Sequence, residues 1–202
     1  MIHAKKLPRK SKAKTPLQFS FPPKNNAHGV ILELFPTLII KQTLLGPRSP
    51  LLRELIESSL ILKDRDFPGI RWCQKNYPFG YTSFASQNRL HQLSSSFEKL
   101  KSLLDHQIDT VWKAFGYQGS SQSLVMTDLW VNVMGPGCSH SGHTHPRSVL
   151  SGSIYLQMPT KASAIKFEDP RLPNLMNSPL NALFPSHVSV PTRGGELIFF
   201  PR

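Results

Sequence analysis

Trp130-Val-Asn132-Val-Met-Gly135-Pro-Gly-Cys-Ser-His140-Ser-Gly-His143-Thr-His145-Pro-Arg-Ser-Val-Leu150-Ser-Gly-Ser-Ile-Tyr155-Leu156 is the stretch on which the fold turns. It reads as an apolar strand, a Gly/Pro/Ser-rich turn carrying three histidines, and a second strand running back. Alternate residues of an extended chain face the same way, so His143 and His145 project together. Imidazole is the commonest nitrogen donor for iron, zinc, copper and nickel, and two on one face make half a metal site. On spacing alone, a His-x-His in a Gly/Ser turn is more often surface decoration. The flanking strands favour the metal reading, because a strand, a ligand-bearing turn and a return strand place ligands at the mouth of a β-barrel.

Outward from this stretch, the texture is strands with Gly/Pro turns. Leu124–Met134, Ser151–Met158, Ala164–Phe167, His187–Val190 and Glu196–Phe200 are the predicted strands. Upstream the chain is helical. Ser95-Ser-Phe-Glu98 reads as a capping box. It opens a helix with Phe97, Leu100, Leu103, Leu104, Ile108, Val111, Trp112 and Phe115 on one stripe, stopped by Gly116. An earlier helix starts with Ser49 as N-cap and Pro50 at its first position, with Leu51, Leu52, Leu55, Ile56 and Leu60 at helical spacing. Between the two, residues 64–93 read as irregular, with Asp66-Phe-Pro-Gly69 and Tyr77-Pro-Phe-Gly80 as turns. Val30–Lys41 is β-rich and broken by Pro36, giving two short strands or an edge strand. Helices followed by short strands predict an α+β fold: an antiparallel jelly-roll or cupin-like barrel (a double-stranded β-helix) on supporting helices.

The chain has 202 residues and 39% apolar content, enough for one domain with its own core. Its net charge of +12 is unevenly spread. Lys5, Lys6, Arg9, Lys10, Lys12, Lys14 and Lys24 precede the first carboxylate, Glu33, so over half the excess sits in a Pro/Ser/Lys-rich arm. Such a composition does not order itself, so residues 1–29 are expected to be a disordered basic tail and residues 30–202 the domain. Nucleic acid is then a partner only through the tail, by phosphate contacts. Cys73 and Cys138 are too few for a disulfide framework and point to a reducing compartment. No run nears the roughly 20 apolar residues that span a bilayer, so no membrane partner is expected. No signal-peptide pattern is present either. The expectation is a cytoplasmic protein, with organelle targeting by the acid-free tail as the variant reading.

The ordered motifs are specific in combination. Trp130-x-Asn132, Gly135, His143-x-His145-Pro, Leu150-Ser-Gly-x-x-Tyr155-Leu156, Phe167-Glu-Asp-Pro-Arg171 and Gly195-Glu-Leu-Ile-Phe-Phe-Pro201 together resemble a family of largely uncharacterised 2-oxoglutarate/Fe(II) oxygenases, prolyl-hydroxylase-like in fold. The similarity extends upstream through Leu34-Phe-Pro-Thr37 and Asn76-Tyr-Pro-x-Gly-Tyr-Thr-Ser83. It implies Fe(II) and 2-oxoglutarate as cofactors, O2 as cosubstrate, and hydroxylation of a substrate with succinate and CO2 as coproducts. It places His143 and His145 where the wider superfamily has His-x-Asp or His-x-Glu. His145 then either binds the metal as an imidazole or hydrogen-bonds substrate or cosubstrate. Tyr155 stands where related enzymes place a tyrosine on the 2-oxoglutarate carboxylate, or else it packs inside the barrel. Asn132 is a polar contact of the same cavity, while Trp130 and Phe167 read as core. Asp169 and Arg171 read as a loop-shaping ion pair, His140 as a bystander, and His187 as a remote replacement ligand.

In the family the last strand continues through Ser-Trp to a distal His and then an Arg that clamps 2-oxoglutarate. Here the sequence reads Phe-Phe-Pro201-Arg202, with neither residue matched. The expectation drawn from this is an incomplete barrel with little turnover and open edges that invite oligomerisation. The alternative is a non-catalytic cupin-like module binding a metal or a partner. No segment of the sequence identifies the substrate.

Overall fold

Ser49 and Pro50 begin the first helix as the sequence requires: Leu52 N–H donates to Ser49 Oγ at 3.4 Å, and α1 runs Pro50–Arg65. The computed structural model describes residues 24–26, 29–31, 36–121, 124–171 and 186–201. The chain divides into two units, residues 1–37 and 38–202. In the first, β1 (Lys24–Asn26) pairs antiparallel with β2 (Gly29–Ile31). Most of the basic arm, the strand expected through Leu32–Phe35 and the loop 172–185 lie outside the described residues.

In the second unit β3 (Ile40–Thr43) precedes α1, so Pro36 does separate two strands. The region expected to be irregular instead holds α2 (Phe67–Asn76), β4 (Gly80–Thr82) and α3 (Leu90–Leu93). What reads as a turn, Asp66-Phe-Pro-Gly69, is the start of α2. The Asp66 carboxylate accepts from Gly69 N–H at 3.2 Å, capping the helix, and Pro68 fills a first-turn position that needs no donor. Asp66 is buried, and it also accepts from Tyr81 Oη at 2.8 Å and from Ser86 Oγ. A carboxylate taken from water needs such a set of donors.

Helix α4 (Ser95–Ala114) carries the expected stripe. Phe97, Leu100, Leu104 and Val111 are buried, Ile108 and Phe115 pack against them, and Leu103 is exposed. Gly116, at φ 77°, follows its end. Its start differs from the capping-box expectation. The N-cap is Ser94, one residue earlier, and its hydroxyl meets Ser96 Oγ at 3.0 Å instead of a backbone amide. Ser96 also meets Ser58 Oγ of α1 at 2.9 Å, so the hydroxyls serve the α1–α4 contact.

Four further strands follow β5 (Asn132–Met134): β6 (Leu150–Tyr155), β7 (Ile165–Glu168), β8 (His187–Val190) and β9 (Glu196–Pro201). The strand expected from Leu124 is extended only at its end. Before Asn132, Ser83 N–H donates to Val131 O at 3.0 Å, Val131 N–H to Ser83 Oγ at 3.2 Å, and Leu129 N–H to Asn88 O at 2.7 Å. The 83–90 loop thus satisfies this backbone in place of a neighbouring strand.

The largest sheet has the order β3-β9-β6, all antiparallel, with β4-β5 and β7-β8 as separate pairs. The α+β, antiparallel class is as expected, and no closed barrel forms among the described residues. Leu197 and Phe199 of β9 point into the core with Leu52, Leu55, Leu90 and Phe97, while Ile40, Leu150 and Ile154 pack on it from the neighbouring strands. The alternate residues, Lys41, Thr43, Ser151, Ser153, Tyr155, Glu196, Ile198 and Phe200, therefore share the opposite face. Cys73 is buried and Cys138 half-buried, both as free thiols. No described helix is long and apolar enough to cross a membrane.

Gly195 fixes the register of the sheet. Its carbonyl accepts from Leu44 and Leu45 N–H at 2.9 and 3.1 Å, and its N–H donates to Tyr155 O at 2.6 Å. It sits at φ 83°, and a Cβ there would lie 1.9 Å from Leu45 O. Left-handed backbone and a backbone clash together should cost Gly195→Ala at least about 2 kcal/mol. Gly46→Ala, with open space around the new methyl, should stay within about 0.5 kcal/mol of wild type. Urea denaturation of both variants measures the difference.

Candidate metal centre

The second histidine of the pair is held by the strand that follows it. His145 Nδ1 lies 2.8 Å from Ser151 Oγ on β6, and its ring meets Phe200 of β9 at 5.9 Å and Trp130 at 6.1 Å between centroids. It is half-buried, whereas His143 is exposed. His143 Nδ1 lies 2.9 Å from the Ser141 carbonyl, which only accepts, so Nδ1 carries the proton and Nε2 the lone pair.

The two Nε2 atoms are 3.1 Å apart. Imidazole nitrogens bind metals at about 2.1 Å. Two at that range and 3.1 Å from each other subtend roughly 95° at a shared ion, close to cis ligands of an octahedron. The donor pair fits a transition-metal ion. Among the described residues no group of three His, Cys, Asp or Glu converges to hold a metal. The nearest acid to the turn is Glu168 of β7, whose Oε1 lies 3.4 Å from where a Cβ on Gly142 would sit.

The other sequence-predicted residues are placed on or beside the neighbouring strands. Tyr155 shares the sheet face of Ser151, four positions along the strand, roughly 13 Å away. It is half-buried, and that burial pushes its hydroxyl up, so it stays a protonated donor. Asn132 is exposed on β5 between Val131 and Val133, both of which pack on the core, so its side chain points away from the core. Trp130 and Phe167, read as core, lie outside both buried clusters. Trp130 packs edge-on against Phe84 at 5.2 Å as well as His145, and Phe167 packs on Phe200 at 5.3 Å. Trp130 thus flanks His145 directly, and Phe167 stands behind Phe200. Asp169 and Arg171 do form the loop-shaping pair, with bonds of 2.9 and 2.8 Å from the guanidinium. His187 lies on β8 opposite Glu168 and does not join the pair.

His140 has more contacts than a bystander would. Its ring stacks near Tyr77 at 4.8 Å and His143 at 5.6 Å, extending the row of imidazoles. Sequence reasoning also missed Ser148 and Ser151, which carry no signal of their own in a Ser-rich turn. A cleft of about 360 Å³ beyond Tyr155, lined by Lys41, Pro191, Thr192, Arg193 and Glu196, was equally unmarked. Its Lys41–Glu196 ion pair spans 3.0 Å across adjacent strands, a pairing visible only once β3 lies beside β9.

Residues 128–202 match the model of a family described as "Putative 2OG-Fe(II) oxygenase". The match covers the histidine pair, Tyr155 and Asn132, and supports the resemblance carried by the motifs from Trp130 to Pro201. The upstream motifs at Leu34–Thr37 and Asn76–Ser83 fall outside the matched span. No curated protein matches the chain. At the level of the family, the match suggests oxygenase activity and implies Fe(II) and 2-oxoglutarate.

His140 and His145 are both held below the ordinary imidazole value of 6.5, first by loss of hydration and then by the charge of His143. The unfolded chain therefore takes up these protons first. Stability should be complete above about pH 7 and fall as the pH drops through 6.5 and onward to the lower folded values. Ring NMR titration of the metal-free protein should give both midpoints below 6.5. In His143→Ala both should move up.

Proposed function

We propose that this chain is a 2-oxoglutarate- and Fe(II)-dependent hydroxylase of jelly-roll type, with His143 and His145 as two ligands of its iron. The observation that carries the reading is the 3.1 Å separation of two Nε2 atoms, on a turn inside the matched span. Both residues are neutral-nitrogen donors, a set suited to iron and to other first-row metals. When bound, the iron supplies O2 activation coupled to oxidative decarboxylation of 2-oxoglutarate.

The residues around it have separable tasks. Ser141 O orients His143. Trp130 and Phe200 flank His145 with apolar rings, and Phe167 backs Phe200, which excludes water and strengthens charge interactions nearby. Tyr155, kept protonated by burial, is a donor for a carboxylate of 2-oxoglutarate. Asn132 offers an amide to substrate or cosubstrate at the rim.

The second reading is a non-catalytic metal- or partner-binding module. It is favoured by the lack of a third His, Cys, Asp or Glu at the pair among the described residues.

Anaerobic titration of the purified protein separates the two. The hydroxylase reading expects Fe(II) binding that tightens with 2-oxoglutarate, slow succinate formation in air, and affinity weakened ~100-fold or more in His143→Ala. Tyr155→Phe should weaken 2-oxoglutarate binding about tenfold, the loss of one charge-assisted hydrogen bond, with metal affinity unchanged. Metal binding without any 2-oxoglutarate effect or succinate would sink the hydroxylase and leave the module.

A further inference from the structure

His145 ends a chain of hydroxyls whose directions can be worked out. Ser148 Oγ lies 2.7 Å from Leu150 O. A carbonyl cannot donate, so the Ser148 proton is spent there. Ser148 Oγ also lies 3.0 Å from Ser151 Oγ, and with its own proton committed it can only accept. Ser151 therefore donates to Ser148. Ser151 Oγ in turn lies 2.8 Å from His145 Nδ1, and having given its proton away it must accept. Between the Leu150 and Ser141 carbonyls the chain has five contacts and four protons, so one contact carries none; in this assignment it is the 3.1 Å Nε2–Nε2 contact of His145 and His143, where a metal ion would sit.

We propose that Ser148 and Ser151 are positioning residues: the directed chain His145 Nδ1–H to Ser151, Ser151 to Ser148, Ser148 to Leu150 O holds His145 in the Nδ1–H tautomer and aims its Nε2 lone pair at His143. A neutral imidazole carries one ring proton, so fixing it on Nδ1 leaves Nε2 free for a metal. Metal-binding histidines commonly need such an outer partner, which sets both ring orientation and tautomer. Here the relay closes within the turn and first residues of β6, so its geometry is independent of whatever completes the coordination shell. Both its value to a metal and the tautomer rest on the proposed function, since it is an ion between the two Nε2 atoms that makes theirs the contact without a proton.

The test is ring 15N NMR of metal-free protein at pH 8, together with Co(II) titration. Wild type should show His145 protonated at Nδ1. Ser151→Ala should shift it toward Nε2–H and weaken Co(II) about 10- to 100-fold. Ser151→Thr, which keeps the hydroxyl, should restore both. Ser148→Ala leaves Ser151 in place but frees its proton to turn toward His145, so it should also populate Nε2–H; this variant carries the test if Ser151→Ala folds poorly. An Nε2–H tautomer in wild type, or no tautomer change in either alanine variant, overturns the proposal. A tautomer that behaves as expected in a protein that binds no Co(II) upholds the relay and overturns the metal reading instead.

Discussion

Strand β9 is hydrogen-bonded on both edges, by β3 and β6, and its two-residue alternation decides which groups become core and which become site. Leu197 and Phe199 anchor the sheet to the helices, so Ile198 and Phe200 must face the other way. A one-residue slip would exchange the two sets and send Glu196 into the helical core. Gly195 prevents that slip. Its peptide is tied to Leu44 and Leu45 on one side and to Tyr155 on the other, in a conformation that a side chain would block. The register that buries Phe199 is thus the same one that brings Phe200 against His145.

The site inherits its rigidity unequally from this frame. His145 is bound to β6 through Ser151 and is walled by rings from β9 and from the chain ahead of β5. His143 is exposed, held by the carbonyl two residues before it and by ring contacts with His140 and His145 on the same turn. One histidine is tied to a strand and the other only to its own Gly/Ser turn. If the pair holds a metal as proposed, the ordering cost would fall mainly on His143, and the His145 ring would define where the ion sits.

Much of this was legible in the sequence, and the failures share a cause. Helix α1, most of α4, β8 and β9 declare themselves through local capping and periodicity. The histidine pair declares itself through the strand-turn-strand pattern. The reading went astray where a residue's partner is remote. Asp66 reads as a turn residue until Tyr81 and Ser86 are found donating to it, when it becomes a buried helix cap. Leu124–Met134 reads as one strand, but the Leu129 and Val131 amides pair with the 83–90 loop and the strand begins only at Asn132. Trp130 and Phe167 read as core because bulky aromatics usually are, but the sheet's core side was already occupied. The Ser148–Ser151 relay had no signal at all, since only the turn's folded shape distinguishes these serines from their neighbours.

On the proposed function, an imidazole at His145 in place of a carboxylate would change the charge balance of the centre. Two neutral histidines leave a divalent ion with its full charge, beside apolar rings that solvate it poorly. The compensating charge has to come from outside the pair. Glu168 approaches the turn at Gly142, and the carboxylates of a bound 2-oxo acid would bring two more negative charges. Metal and anionic cosubstrate would then stabilise one another more strongly than in a site with a built-in carboxylate. The half-buried His145 strengthens this dependence, because removing water raises both the cost of the bare ion and the gain from pairing it. On the proposed function, an imidazole in the carboxylate's place would make binding of the metal a function of what binds beside it.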